Sequence, residues 1–391
     1  MDRLILVANP GSSSRKYAIY NGSKCLVELH FELDDKKIIC TVTLEETYFQ
    51  AVINIANIKD SATVLFEILD FYNINISRNQ IEKIAVRVVA PSSYFQVHRV
   101  LDARALEKLK QLESSAKIHI SATLNEISVI ARELPDVPLI GISDSAFHIT
   151  KPEHLKNYGI NTELSDKFDI KRFGYHGISI GSVVNQFRAE KSLAERLVVC
   201  HLGSGASVVA VKNGKSIDST MGFSPLEGLI MATRSGSIDP TAVIAIKAEY
   251  KFNDNQIEEF LNKQSGLLGI SQISPDLREI LKEANDGNAK AKLAVKMYVS
   301  RVQQAIAQMT ASLGGVDALV FTGTVGERSR LIRRLVVADL MFLGFHLSSD
   351  KNHQTISAKN ITKISATGPS SIYVVPSRED QEMARLAEII R

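Results

Sequence analysis

A chain of 391 residues is long enough for two domains with sizeable cores. Its 45% hydrophobic and 23% charged residues, without tryptophan, are those of an ordinary globular protein, and 46 basic against 43 acidic residues leave no global field for a nucleic acid or an anionic membrane. Three cysteines without metal spacing (Cys25, Cys40, Cys200), no apolar run of membrane-spanning length and an N-terminus that enters a strand directly point to a cytoplasmic protein that binds any anion locally.

Leu4 to Lys24 reads as strand, small-residue turn, strand and an Asn21-Gly22 turn. Ser61 is placed to cap a helix with the apolar stripe Val64, Leu65, Ile68, Leu69 and Tyr72. A buried strand follows over Ile84 to Val89, then a helix from about Ser121 to Leu134 and a strand from Val137 to Ile142 that leads to Asp144. Leu197 to Thr220 repeats the opening pattern: strand, the turn His201-Leu202-Gly203-Ser204-Gly205, strand, Asn213-Gly214, strand. Asp239-Pro240 starts a helix, Ala289 to Met309 carries the stripe Ala294, Val295, Tyr298, Val302, Ala305, Ile306 and Met309, and Asp317–Thr322 and Ile372–Pro376 are short buried strands. Alternating helices and strands with hairpins predict an α/β fold.

The two hairpin stretches superimpose in sequence, Gly11 on Gly203, Asn9 on His201 and Asn21-Gly22 on Asn213-Gly214, so the chain reads as two related halves with a phosphate-facing hairpin in each, meeting across a cleft. Gly214-Lys215-Ser216 is not a P-loop, because Val209 stands at its first glycine position and a strand follows where a helix is required. Cys200 beside His201 reads as core packing, since neighbours on a strand face opposite ways.

Five side chains stand out, each with a bland reading beside the functional one. Arg87, inside an apolar strand, needs either a structural carboxylate or an anionic ligand. Asp144, at a strand end, is a helix cap or a ligand-facing carboxylate. His176, between glycines and aromatics, is a hydrogen-bonded core residue or a catalytic one. Arg234 is a surface loop residue or an anion clamp, and Glu379 is a favourable helix-start carboxylate or a site residue.

Together these residues resemble the acetate kinases, the acetokinase family of the acetate and sugar kinase, Hsp70 and actin superfamily. The resemblance rests on NPGSSSRKY (Asn9–Tyr17), VRVV (Val86–Val89), DSAFH (Asp144–His148), RFGYHGIS (Arg172–Ser179), HLGSGAS (His201–Ser207), MGFSPLEGLIMATRSGSIDP (Met221–Pro240), SPDLR (Ser274–Arg278) and FTGTVGE (Phe321–Glu327). It implies two duplicated ribonuclease H-like α/β domains of the actin/Hsp70/sugar kinase type flanking a nucleotide cleft: residues 1–148 with 378–391, and residues 149–377 for nucleotide binding and dimerisation. It further implies transfer of the ATP γ-phosphoryl group to acetate with Mg²⁺ or Mn²⁺, in a cytoplasmic homodimer without nucleic-acid or membrane partners. Propionate or butyrate is the neighbouring acceptor, and a nucleotide-binding relative with weakened catalysis is the third reading.

By the same resemblance Arg87, Asp144, His176 and Arg234 are the catalytic residues, with Arg87 and Val89 at the carboxylate. Asn9 and Glu379 are metal-associated. Lys16 and the turn His201, Leu202, Gly203, Ser204 and Gly205 hold phosphates, while Asp276, Leu277 and Arg278 and the stretch Gly323, Thr324, Val325, Gly326, Glu327 and Arg328 flank the nucleoside. The chain departs from the family pattern at Ala90-Pro91-Ser92, where a histidine and two glycines are usual, and at Val86, again for a histidine. Further departures are Ser204 for asparagine, Pro10, Ala232, Ser237, Thr324, Arg328 and Ser377-Arg378. The charge-handling side chains remain and the altered positions shape loops, so the expectation is an active, divergent enzyme.

Overall fold

The computed structural model describes residues 3–11, 14–34, 37–45, 47–113 and 117–390. Ser12 and Ser13 of the first turn lie outside them. The chain divides into two compact units, Met1–Ala146 with Arg378–Arg391, and Phe147–Ser377.

The first unit is built on β1 (Leu4–Pro10), β2 (Ser14–Asn21), β3 (Lys24–Asp34), β4 (Lys37–Leu44), β5 (Thr47–Ile53), β6 (Ile81–Val88), β7 (Arg99–Val100) and β8 (Leu139–Ser143), in the order β5-β4-β3-β2-β1-β6-β8-β7. The first five strands form an antiparallel meander, and β6 and β8 continue it in parallel from β1. Leu6, Tyr17, Phe31, Val42, Ile84 and Val86 are buried in one core with Leu109 and Ile130 from helices Ala103–Leu112 and Lys117–Glu133. Parallel strands require cover on both faces, which explains the apolar runs Leu4–Ala8 of β1 and Ile84–Val86 of β6.

The second unit uses β9 (Arg196–Leu202), β10 (Ala206–Lys212), β11 (Lys215–Ser219), β12 (Ala318–Thr322), β13 (Thr362–Lys363) and β14 (Ser371–Val374), in the order β11-β10-β9-β12-β14-β13. Its run β11-β10-β9-β12-β14 repeats β3-β2-β1-β6-β8, antiparallel on one side and parallel on the other. The duplication read from two hairpins therefore extends to five strands of each sheet. Helix Ala289–Leu313 buries Ala294, Tyr298, Val302, Ala305, Ile306 and Met309, so most of its apolar stripe is core; Val295 is partly buried.

Two local expectations are corrected. Ser61 caps no helix: Asn57 caps a 3₁₀ turn over Ile58–Val64, Ser61 donates back to the Ile58 carbonyl, and the α-helix runs only over Leu65–Phe71. A serine that bonds to the preceding turn competes with the helical start it was expected to make. The first hairpin turns one residue later than Asn21-Gly22, because a bulge after Ile19 shifts the register and pairs Asn21 with Lys24. Gly22, with φ of 55°, then opens the two-residue loop. The second hairpin turns as expected on Asn213 and Gly214, with φ of 51° and 73°.

Candidate active site

Because β1, β6 and β8 run parallel, their C-terminal ends lie side by side, and the first unit gathers its charges there. Arg87, one residue from the end of β6, donates through Nη2 to Asp144 Oδ2 at 3.1 Å and through Nη1 to Glu379 Oε2 at 3.4 Å and Asn9 Oδ1 at 3.3 Å. Arg87 therefore has the carboxylate partners of the structural alternative, and 18% of its side chain stays accessible. Burial alone would lower the guanidinium pKa; Asp144 and then Glu379 outweigh it and hold it above the ordinary arginine value. Asp144 follows β8 directly, is 1% exposed, and its N–H donates to the Val88 carbonyl at 2.9 Å. Its neighbour Ser143 donates its N–H to His98 Nδ1 at 3.0 Å, and burial pushes the His98 imidazole down to about 4, so that ring stays neutral. Val89 lies just beyond β6 and is partly buried.

The helix Glu379–Ile389 completes the cluster. Asn9 Nδ2 donates to Asp380 Oδ1 at 3.0 Å and to Glu379 Oε2 at 3.5 Å. Burial raises the Asp380 pKa against the donation from Asn9, and Glu379 adds to the rise. Asp380 is the carboxylate that the sequence reading passed over; the signal was a second acid beside Glu379 at a helix start. Lys16 is exposed on β2 directly opposite Asn9. Among the described residues no group of three or more histidine, cysteine or acidic side chains is arranged to hold a metal. The donors present, Asn9 Oδ1, Glu379 and Asp380, are all oxygens, a set that fits a magnesium-like ion that takes one or two carboxylates and keeps its waters.

In the second unit His201 pairs with Ser207 across β9 and β10, and the Gly203 N–H closes the intervening turn on the Gly205 carbonyl at 2.9 Å. His176 precedes helix Gly177–Ala189 in the left-handed conformation, φ 59° and ψ 20°. Its Nδ1 lies 2.9 Å from Ser207 Oγ and its ring lies 4.2 Å from that of His201, centroid to centroid. A Cβ on Gly205 would lie 3.1 Å from His176 Nε2 and 3.6 Å from Arg234 Nη1. The glycine thus leaves open the spot at which an imidazole nitrogen and a guanidinium converge. Gly323, with φ of 76°, begins the turn after β12, where a Cβ would sit 2.8 Å from the Leu202 carbonyl oxygen; a Cβ on Gly203 would lie 4.0 Å from Thr324 N. Two glycine turns therefore lie against each other beside His201.

Glu327, in the short helix Gly323–Arg328, accepts from the Ser377 N–H at 2.9 Å, and Ser377 Oγ is 3.0 Å from Ser179 Oγ, which in turn is 2.8 Å from His201 Nδ1. Val325 and Gly326 belong to the same helix, and buried Arg333 donates to the Gly326 and Glu327 carbonyls at 2.9 and 2.7 Å. Asp276, Leu277 and Arg278 are engaged differently. Leu277 is buried, while Asp276 caps helix Leu277–Asn285 and pairs with the Arg278 guanidinium, which holds the Asp276 carboxyl below its usual range. Cys200 is buried, and burial pushes its thiol up, as its packing role requires.

The model of the acetokinase family matches residues 4–385. The chain belongs to the acetokinase family. An acetate kinase of Caldanaerobacter subterraneus subsp. tengcongensis is 36% identical over 98% of each chain, and one of Acetivibrio thermocellus is 34% identical over 97% of each. Among solved structures, a propionate kinase from Francisella tularensis superimposes with a TM-score of 0.89 at 34% identity, over 99% of this chain and 100% of that one. The acetate kinase of Porphyromonas gingivalis does so with 0.86 at 31% identity, over 99% of both. The fold is thus that of the family, two duplicated α/β units of the actin and sugar kinase type.

Two of the departures from the family pattern have local explanations. Pro91 follows buried Ala90, whose carbonyl accepts from the Ser92 N–H at 3.0 Å; Ser92 Oγ then accepts from the Tyr94 N–H at 3.2 Å and caps the 3₁₀ turn Ser93–Phe95. Ala90-Pro91-Ser92 therefore builds a short, self-bonded turn where the usual glycines would leave the backbone free. Ser204 exposes its side chain and uses its carbonyl to accept from the Ala232 N–H at 3.1 Å.

Proposed function

We propose that this protein transfers the γ-phosphoryl group of ATP to acetate, reversibly, giving acetyl phosphate and ADP. The observation that carries the reading is the convergence of His176 Nε2 and Arg234 Nη1 on the open space at Gly205, in the glycine turn between β9 and β10. An acetate oxygen forms the new bond to phosphorus as the bond from phosphorus to the β–γ bridging oxygen breaks, and ADP leaves. No general base is needed, since acetate is ionised at neutral pH. Charge spreads over three equatorial oxygens in such a transfer, and alignment with charge stabilisation is what the protein has to supply.

Arg87 and Arg234 are the planar, permanently charged clamps for the carboxylate and the moving phosphoryl group, and His176 donates to the latter. Asp144 keeps Arg87 oriented, and Val89 lines the acyl side. Lys16 and the His201–Gly205 turn hold phosphates; the Gly323–Arg328 helix and Asp276–Arg278 serve the nucleoside. Asn9, Glu379 and Asp380 would hold a divalent ion, Mg²⁺ or Mn²⁺, that neutralises phosphate charge. Residues 149–377 carry the nucleotide and the contact with a second copy. Helix Pro240–Glu249 supports that contact, since it buries none of its residues within the chain and leaves Ile244 66% exposed. The cell compartment proposed is the cytoplasm; no helix of the described residues is long and apolar enough to cross a membrane.

Propionate is the second acceptor, favoured by the likeness to the Francisella propionate kinase. One methylene in an apolar pocket changes specificity by only about 1–3 kcal/mol. Hydroxylamine trapping of the acyl phosphate formed from ATP, magnesium and acetate, propionate or butyrate tests both. Turnover fastest with acetate is expected; turnover only with longer acids moves the assignment to the second reading, and none with any acid refutes both.

A further inference from the structure

Arg234 sits in a stretch without regular structure: between β11 and helix Pro240–Glu249 the chain forms neither helix nor strand. A long side chain on such a loop is held only as well as its surroundings hold the loop. The loop is closed at its base by Ser237, which donates its N–H to the Gly228 carbonyl and accepts the Gly228 N–H on Oγ, both at 3.0 Å. Arg234 itself donates to the Pro225 carbonyl at 3.4 Å. Two residues on, Glu227 turns into the protein and meets two partners from elsewhere in the same unit. The Tyr158 hydroxyl donates to Glu227 Oε2, and Arg172 Nε lies 3.4 Å from Oε1. Tyr158 also accepts the Phe223 N–H at 2.8 Å, so one phenol fixes the loop at two points.

These partners are anchored in turn. Arg172 donates to the Ser219 carbonyl at 3.0 Å and lies 3.8 Å from Asp218, itself 1% exposed, on β11. A Cβ on Gly222 would run into the Glu227 carboxylate and the Tyr158 hydroxyl, so this approach depends on a glycine. Arg172 also begins the stretch that carries His176, and two further bonds join that stretch to the loop: Gly174 N–H to the Gly222 carbonyl at 3.2 Å, and Tyr175 hydroxyl to the Phe223 carbonyl at 2.6 Å.

We propose that Tyr158, Arg172 and Glu227 form a brace that positions Arg234 relative to His176, with Glu227 acting through the Pro225 carbonyl and touching no substrate. This explains two residues of the family-like motifs, Arg172 and Glu227, that the transfer itself leaves without a task. The inference rests on the role given to Arg234 above.

The test compares kcat and the KM for ATP of wild type, Tyr158→Phe, Glu227→Gln, Arg234→Ala and the Glu227→Gln/Arg234→Ala double variant, alongside their unfolding midpoints. Each brace variant is expected to lower kcat about ten- to hundredfold, the rate equivalent of one charge-assisted hydrogen bond, with little change in the KM for ATP. Glu227→Gln is expected to cost nothing further in the Arg234→Ala background. Wild-type kcat in both brace variants overturns the proposal, as does an equal loss from Glu227→Gln in both backgrounds, which would mean an effect independent of Arg234. Should Glu227→Gln fold poorly, Tyr158→Phe, which removes a single oxygen, decides. Wild-type turnover in Arg234→Ala overturns the reading of the site itself, and the brace with it.

Discussion

Asp144→Asn separates orientation from charge at the first-unit cluster. The substitution keeps the size of the side chain and an acceptor for Arg87 Nη2, now at 3.1 Å from Oδ2, but removes the negative charge from a position 1% exposed. Unit charges about 4 Å apart attract by roughly 4 kcal/mol at an effective dielectric constant of about 20. Glu379, 3.4 Å from Nη1, remains to hold the other arm of the guanidinium, so about half of that attraction is lost. A cost of about 2 kcal/mol corresponds to a fall in kcat/KM for acetate of about thirtyfold. The hydroxamate assay measures it, and thermal unfolding in parallel reports whether the fold pays instead. A variant with kcat/KM within about threefold of wild type but a lowered unfolding midpoint would show a purely structural pair and refute the reasoning.

Gly205→Ala places a methyl group 3.1 Å from His176 Nε2, so kcat is expected to fall about tenfold with unfolding unchanged; equal kcat would show that the spot is not used. Arg333 is fully buried, has no carboxylate partner among the described residues, and donates to the carbonyls of Gly326, Glu327, Asn352 and Thr355 and to the Asn352 side chain. Arg333→Met should cost about 3–5 kcal/mol in urea unfolding through the acceptors left unpaired, and a cost below 1 kcal/mol contradicts this. His98 titrates near 4 when folded and near 6.5 when unfolded, so the unfolded chain binds more protons between these values. The contribution, about 3 kcal/mol, is present above pH 6.5 and lost as pH falls to 4; His98→Asn, whose oxygen can accept the Ser143 N–H, should show a shallower acid limb. Lys151 is 2% exposed, and burial, then the Arg172 charge, lower its pKa from the ordinary 10.5 to about 8. The unfolded chain again binds more protons in that window, so wild type should gain stability on Lys151→Met as pH rises from 8 to 10; a constant gap refutes it.

What could be read in the sequence was what local chemistry dictates. Asn213-Gly214 turned where it must because two consecutive positive φ angles leave few alternatives, and Asp239-Pro240 began its helix for a similarly local reason, with Asp239 accepting the Thr241 N–H at 2.7 Å. Arg87 was conspicuous as a charge in an apolar strand, though its partners, 57 and 292 residues away, were not. The brace was invisible for the same reason: Tyr158 meets Glu227 across 69 residues, and nothing periodic or compositional marks a lone tyrosine in a loop. Ser61 misled because a cap residue is also a good partner for the turn behind it, and the choice was made by Asn57, four residues earlier.

The left-handed backbone of His176 has an evolutionary consequence. A non-glycine residue held at φ 59° costs about 1 kcal/mol or more, and asparagine or glycine would occupy that position at less cost. Under the role proposed for His176, heat resistance alone would favour discarding the imidazole, whereas turnover would keep it at the start of helix Gly177–Ala189. A thermostabilised variant of this protein that changes residue 176 is expected to have exchanged rate for robustness.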